Sequence, residues 1–183
     1  TGILPLKLGR SVDDIVLVLT CIVKSIPFIP IDNETPKDRI RQIEETCCQK
    51  HFTLSDLEST FKINPNPAFS GDLMYAIATS GSTGKPKLVG VKRSGYVAAI
   101  NAWRSHYKLS SEDNIIQAAS FSFDVFLGDI GRSLFNGASL TVLDPFQRKD
   151  PEYIRQILAK KENTVFETTP LVVRWWLQDT DCS

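Results

Sequence analysis

Ala78-Thr79-Ser80-Gly81-Ser82-Thr83-Gly84-Lys85-Pro86-Lys87 is a hydroxyl- and glycine-rich run closed by two lysines around a proline, and its flanks decide the fold. Leu73 to Ala78 and Lys87 to Val91 read as short strands, so the run is a loop hung between two strands of a sheet. Its chemistry is that of an anion cradle. Hydroxyls donate to anionic oxygens, Gly81 and Gly84 let backbone N–H groups come close, and Lys85 and Lys87 add positive charge. A Walker A loop is excluded, because only two residues separate Gly81 from Gly84 and Pro86 stands where the metal-binding hydroxyl belongs. No Gly-x-Gly-x-x-Gly dinucleotide fingerprint lies at a strand-to-helix junction.

Outward from the loop, strand and helix signals alternate. Ser11 is a plausible N-cap for a buried helix to about Ser25, followed by a buried strand at Ile26 to Ile31. Lys24 and Pro27 interrupt this stretch, which leaves it too short for the roughly twenty apolar residues a bilayer needs. Thr35-Pro36 reads as a cap with proline at the first helical position, opening a helix that ends near Cys48 with Ile40, Ile43 and Cys47 on its apolar face. Phe52 to Leu54 reads as a strand edge, and residues 64–70, beginning Asn64-Pro65-Asn66-Pro67, as a linker.

After the loop, Ser94 caps a helix through Tyr107, and Ile115 to Ala118 is a strand. Val125 to Phe135 is a helix closed by Asn136-Gly137, and Leu140 to Leu143 is a strand. Asp150-Pro151 opens a helix to about Lys161, Thr164 to Thr168 is a strand, and Thr169-Pro170 opens a last helix. The expected class is layered α/β with largely parallel sheets flanked by helices, where ligands sit at the strand-to-helix junctions. Asp124 and Thr169 fall at such junctions.

Charge and cysteines narrow the partners. The 21 basic and 21 acidic residues leave the 183-residue chain with zero formal net charge, which gives no support for nucleic-acid binding. Four cysteines without Cys-x-x-Cys spacing favour a reduced, cytoplasmic protein. His106 has no partner at ligand spacing and reads as structural, Asp129 and Arg132 read as a solvated pair three apart, and Trp175 and Trp176 as one packed and one exposed ring.

The loop resembles the signature of the adenylate-forming superfamily, and three further stretches carry the same resemblance in the same order. Pro27-Phe28-Ile29-Pro30-Ile31-Asp32 with Pro36 and Arg39-Ile40 is similar to the family's upstream motif. Phe121-Ser122-Phe123-Asp124 is similar to the motif of its amino-acid-activating branch, and Thr168-Thr169-Pro170 to a later segment. The resemblance identifies residues 1–183 as the central part of the large N-terminal domain of a nonribosomal peptide synthetase adenylation domain, incomplete here. It implies ATP and Mg2+ as cofactors, an amino acid as substrate, and phosphopantetheine on a partner carrier domain, with condensation domains nearby.

In that resemblance Thr79, Ser80, Gly81, Ser82, Thr83, Gly84 and Lys87 orient the departing pyrophosphate, and Asp124 pairs with the substrate α-ammonium. A carboxylate set among Phe123, Val125 and Phe126 would suit a cationic partner, while the same aspartate in isolation reads equally as a helix cap. Val125, Gly128 and Glu167 fall where the family lines its amino-acid pocket, and with Asp124 they resemble pockets for ornithine. Gly128 would leave room for a long side chain and Glu167 would meet a terminal ammonium. Lysine or another diamino acid satisfies the same physics, and a Glu167 that simply faces solvent is the plain alternative.

The later Tyr-Gly-x-Thr-Glu segment, the ribose-binding aspartate and the C-terminal lysine of the family are not matched, so catalysis by this chain alone is not expected. An acyl- or aryl-CoA ligase of the same superfamily and a non-catalytic nucleotide-binding remnant are the alternatives.

Overall fold

The structure, a computed structural model, describes residues 2–47, 50–59, 71–80, 86–160 and 164–177. Two compact units divide them: residues 1–99 with 120–124, and residues 100–119 with 125–183.

The first unit is built on a four-stranded sheet in the order β1-β2-β3-β4, with β1 Leu4–Leu8, β2 Phe28–Asp32, β3 Leu73–Ser80 and β4 Pro86–Lys92. The first three strands run parallel, and β3 and β4 form an antiparallel pair whose register reaches Thr79 opposite Lys87 and Ser80 opposite Pro86. The expected strands on both sides of the glycine-rich loop are present, each slightly longer than its apolar run. All five residues of β2 are buried, as a strand covered on both faces requires.

Helix α1, Val12–Val23, begins where Ser11 implied. Ser11 Oγ accepts from the Asp14 amide at 3.1 Å and Asp14 Oδ2 accepts from the Ser11 amide at 2.9 Å, a reciprocal capping box. The helix ends in a Schellman turn: Ser25, at φ 56°, donates to the Ile22 carbonyl, and Ile26 donates to that of Cys21. Helix α2, Lys37–Cys47, packs Ile40, Ile43 and Cys47 against Ile29, Ile31 and Ala76 of the sheet. Its first helical bond runs from the Ile40 amide to the Pro36 carbonyl, so the cap lies one residue after Thr35, whose hydroxyl pairs instead with Ser122 Oγ at 3.2 Å.

Phe52 is a strand edge, bridging in parallel to Leu6, but Leu54 already belongs to helix α3, Leu54–Ser59. The expected linker at 64–70 lies outside the described residues. Helix α4, Arg93–Tyr107, starts one residue before Ser94, and the Ser94 hydroxyl bonds Asp72 Oδ2 at 2.5 Å rather than capping it.

The second unit carries a wholly parallel three-stranded sheet, β6-β5-β7, from β5 Asn114–Gln117, β6 Ser139–Val142 and β7 Thr164–Phe166. Parallel neighbours demand crossovers, and the intervening helices supply them: α5 Asp124–Ser133 and α6 Pro151–Lys160. Asp150 caps α6 by accepting the Glu152 amide at 3.0 Å, and Gly137, at φ 74°, ends the 3-10 turn after α5. A final helix, α7, covers Pro170–Leu177. Ile116, Leu143 and Ile154 form the core here, with Phe166 and Val172 packed against them. The expected parallel α/β class is present, divided between two sheets, one of which closes on an antiparallel hairpin. Among the described residues no helix is long and apolar enough to cross a membrane.

Candidate functional site

Asp32, at the carboxyl end of β2, is the hub of the first unit's functional edge. Its Oδ2 accepts from the Phe121 amide at 2.9 Å, from Ser120 Oγ at 3.0 Å and from Arg10 Nη1 at 3.3 Å, while Oδ1 accepts from the Glu34 amide at 3.0 Å. The Asp32 amide in turn donates to Ser122 Oγ at 2.8 Å. The Arg10 and Asp32 side chains are each 2% exposed, and the Arg10 guanidinium also lies over the Phe121 ring, 4.7 Å from its centroid. The Pro-Ile-Asp and Phe-Ser-Phe-Asp stretches are therefore bonded to each other through one carboxylate.

The third stretch joins them. Arg39 on α2 donates from Nη2 to the Ala78 carbonyl at 3.2 Å, tying the upstream motif to the strand that leads into the loop. Around this junction lies an open cleft of about 630 Å³, lined among others by Arg39, Thr79, Ser80, Ser120, Ser122 and Phe123. Thr79 and Ser80 are exposed on it, and Thr79 Oγ1 donates to the Lys87 carbonyl at 3.3 Å across the hairpin. Gly81, Ser82, Thr83 and Gly84 lie outside the described residues. The Thr79, Ser80, Ser120 and Ser122 hydroxyls and the Arg39 guanidinium are donors able to meet phosphate oxygens, and they share the lining with the Asp32 and Glu34 carboxylates and with apolar Pro30, Ile43 and Ile77. Among the described residues no cluster of three or more His, Cys, Asp or Glu could hold a metal.

Asp124 is the first residue of α5, immediately after Phe123. It occupies the first helical turn rather than the cap position, where a carboxylate complements the helix dipole. Phe123 is 60% exposed and Asp124 is exposed, so the apolar confinement anticipated for this carboxylate is not found. Its charge reaches Tyr75 on β3: burial pushes that phenol up to about 12, and the Asp124 carboxylate adds to the shift.

The pocket residues of the second unit are arranged differently from expectation. Gly128 is buried one turn before Arg132 on α5, and a Cβ on Gly128 would lie 3.2 Å from Arg132 Nη2. The space beside the glycine is thus taken by Arg132 itself. Helical side chains lean towards the N-terminus, which carries the long Arg132 side chain back over the residue four before it. Its Nη2 bonds Asp129 Oδ1 at 2.8 Å, its Nη1 pairs with Glu167 Oε2, and its guanidinium stacks 4.7 Å from the Trp103 ring centre.

Asp129 and Arg132 are therefore not a solvated pair, since their side chains are 1% and 4% exposed. Nor does Glu167 simply face solvent: its side chain is 49% exposed and carries an ion pair. Val125 is half-buried. Burial pushes the Asp129 carboxyl up to about 7 against the opposing pull of Arg132, and the Glu167 charge raises it further. Sequence reading gave Arg132 only as half of a solvated pair, although a glycine four residues before an arginine on a helix is the visible signal for a side chain folded back. His106 stacks edge-on with Tyr107, ring centres 4.9 Å apart.

Comparison with known proteins agrees with this architecture. A family model described as AMP-binding enzyme matches residues 11–183. The chain is 35% identical over 190 residues to a plipastatin synthase from Bacillus subtilis (strain 168), covering 90% of the chain and 7% of that protein. It is 31% identical over 194 residues to gramicidin S synthase 2 of Brevibacillus brevis, covering 92% of the chain and 4% of that protein. Among solved structures, the nonribosomal peptide synthetase FmoA3 in its α-methyl-L-serine-AMP bound form superposes with a TM-score of 0.77 at 18% identity, over 100% of this chain and 22% of that one. CmiS6 superposes with a TM-score of 0.78 at 21% identity, over 97% of this chain and 48% of that one. The chain spans less than a tenth of the length of the two synthetases named. With the family model matching nearly its whole length, the chain belongs to the AMP-binding enzymes.

Proposed function

We propose that the polypeptide carrying this chain activates an amino acid for nonribosomal peptide synthesis. The substrate carboxylate oxygen attacks the α-phosphorus of ATP, the bond to the bridging oxygen of the β-phosphate breaks, and pyrophosphate leaves with that electron pair. The phosphopantetheine thiol of a carrier domain, losing its proton, then attacks the acyl carbon of the aminoacyl-adenylate, the bond from that carbon to the phosphate oxygen breaks, and AMP leaves. The observation that carries this reading is the convergence of three sequence stretches, through Asp32 and Arg39, on one cleft that offers hydroxyl and guanidinium donors.

Both reactants are anionic, so the protein's work is positioning and charge neutralisation. Thr79, Ser80 and Lys87, with Gly81, Ser82, Thr83 and Gly84 of the same loop, hold the departing phosphates. Mg2+ bound with the nucleotide would offset phosphate charge. Asp124, exposed at the start of α5, takes the α-ammonium of the substrate. Val125, Gly128 and Glu167 belong to the side-chain pocket, Gly128 by making room for the Arg132 side chain that pairs with Glu167, and we assign this pocket to a cationic amino acid such as ornithine. Glu167 supports this assignment because its carboxylate is half-exposed while one oxygen is already paired.

The test is amino-acid-dependent exchange of labelled pyrophosphate into ATP by the complete polypeptide, with ornithine, lysine, leucine, a fatty acid and no substrate. Exchange with an amino acid that disappears in Asp124→Ala supports the reading. Exchange with the fatty acid alone would replace it with an acyl ligase, and silence throughout would leave a non-catalytic nucleotide binder.

A further inference from the structure

Three charged groups meet in the second unit, and only two can neutralise each other. Arg132 is one guanidinium between two carboxylates, Asp129 and Glu167. Its position is fixed from three sides: by the helix turn over Gly128, by the Trp103 face, and by the bond to Asp129. Yet the cluster is incomplete. Asp129 Oδ2 and Arg132 Nε are buried and carry no hydrogen bond among the described residues. Such polar atoms are costly unless satisfied, so each calls for a partner beyond the three side chains of the cluster.

We propose that Arg132 is a positioning residue that sets selectivity for cationic amino acids: held by Asp129 and Trp103, it orients the Glu167 carboxylate, and the cluster's surplus negative charge recruits the substrate's terminal ammonium. The inference rests on the amino-acid-activating reading above and deepens it by naming residues outside the expected pocket. Arg132 does not touch the substrate in this scheme. It acts through Glu167, whose half-exposed carboxylate is the group able to reach a ligand.

The charge count makes the effect depend on pH. The groups facing Asp129 are Arg132 on its own helix and Glu167 after β7, and α4 contributes the uncharged Trp103 against Arg132. With both carboxylates ionised the cluster carries one net negative charge. With Asp129 protonated it is neutral, and Arg132 alone satisfies Glu167. The buried Asp129 carboxyl titrates near 7, so the surplus charge appears as pH rises through neutrality.

The experiment measures pyrophosphate exchange by the complete polypeptide with ornithine and with leucine from pH 6 to pH 8, taking the ratio of their kcat/KM values. The ratio cancels effects common to both substrates, such as those on ATP and the α-ammonium. The expected result is a ratio that rises roughly tenfold across this range, with the change in KM, because one unit charge is gained close to the bound ammonium. Asp129→Asn should flatten the profile at its low-pH value. Arg132→Lys, which keeps the charge but loses the fork that spans two carboxylates, should lower the ratio at pH 8 by a similar factor.

A flat profile in the unmodified protein, or variants that leave the ratio unmoved, would overturn the inference while leucine or ornithine exchange kept the proposed function intact. No exchange with any amino acid would overturn both. The unmodified protein's profile decides the matter even where a variant fails to fold.

Discussion

Replacing Asp32 by Asn tests whether one carboxylate holds the functional edge of the first unit together. The substitution preserves shape and removes the charge that Arg10 Nη1 meets at 3.3 Å, in a pair whose side chains are each 2% exposed. Breaking a buried ion pair from one side costs about 3–5 kcal/mol, because the remaining charge stays desolvated. Bonds from the Phe121 amide and Ser120 hydroxyl also weaken, since they lose an ionised acceptor. Hydrogen exchange at the Phe121 amide reads the loss directly, as that N–H is bonded to Asp32 itself. A local opening free energy lower by about 3 kcal/mol accelerates its exchange by roughly two orders of magnitude. Amides of the β3–β4 ladder are the internal reference. Adding Arg10→Met to Asp32→Asn removes the buried positive charge as well and should restore a large part of the protection, giving a coupling of at least about 1 kcal/mol in the double-mutant cycle. Unchanged exchange in Asp32→Asn, or strict additivity in the cycle, would refute the hub.

Other consequences are simpler to check. Asp129 has a folded-state pKa raised to about 7, above its unfolded value, so ionising it opposes folding: its contribution makes stability fall as pH rises from about 4 to about 7. Asp129→Asn should flatten that part of the stability profile relative to the unmodified protein in urea titrations at matched pH. Ser11→Ala removes half of the α1 capping box and should cost about 1 kcal/mol, read as faster exchange of the Asp14 and Ile15 amides. Lys87→Ala should raise KM for ATP several-fold while leaving KM for the amino acid within about twofold, since the role proposed for it is to phosphate and not to side chain; equal shifts in both would remove Lys87 from the phosphate site.

Local chemistry made much of the fold legible. Ser11 with Asp14, Asp150 before Pro151, and Gly137 after a polar turn each mark an element end by a bond or backbone conformation that short sequence windows contain. The errors came where a side chain had a better partner far away. Thr35 looked like a cap, but its hydroxyl meets Ser122, 87 residues on. Ser94 likewise prefers Asp72. The candidate site divides the same way. The motifs were readable as strings, whereas the bonds that join them, through Asp32 and Arg39, depend on tertiary placement. Arg132 and Asp129 looked solvated because i,i+3 pairs usually are, and only burial by Trp103 and Glu167 distinguishes this one.

The first unit is discontinuous in sequence, and this has a consequence for how it is made. Ser120 to Asp124 belong to it, yet they follow β5 of the second unit along the chain. The Asp32 carboxylate leaves the ribosome 89 residues ahead of the Phe121 amide that it binds. At synthesis rates of about 5–20 residues per second, that interval is roughly 4–18 s. During it the Arg10 guanidinium has no Phe121 ring to lie over, and the carboxyl end of β2 waits half-finished. Completion of the first unit is therefore timed by the emergence of a later segment. A gene split placed between residues 99 and 120 would separate Asp32 from the partners that finish its site.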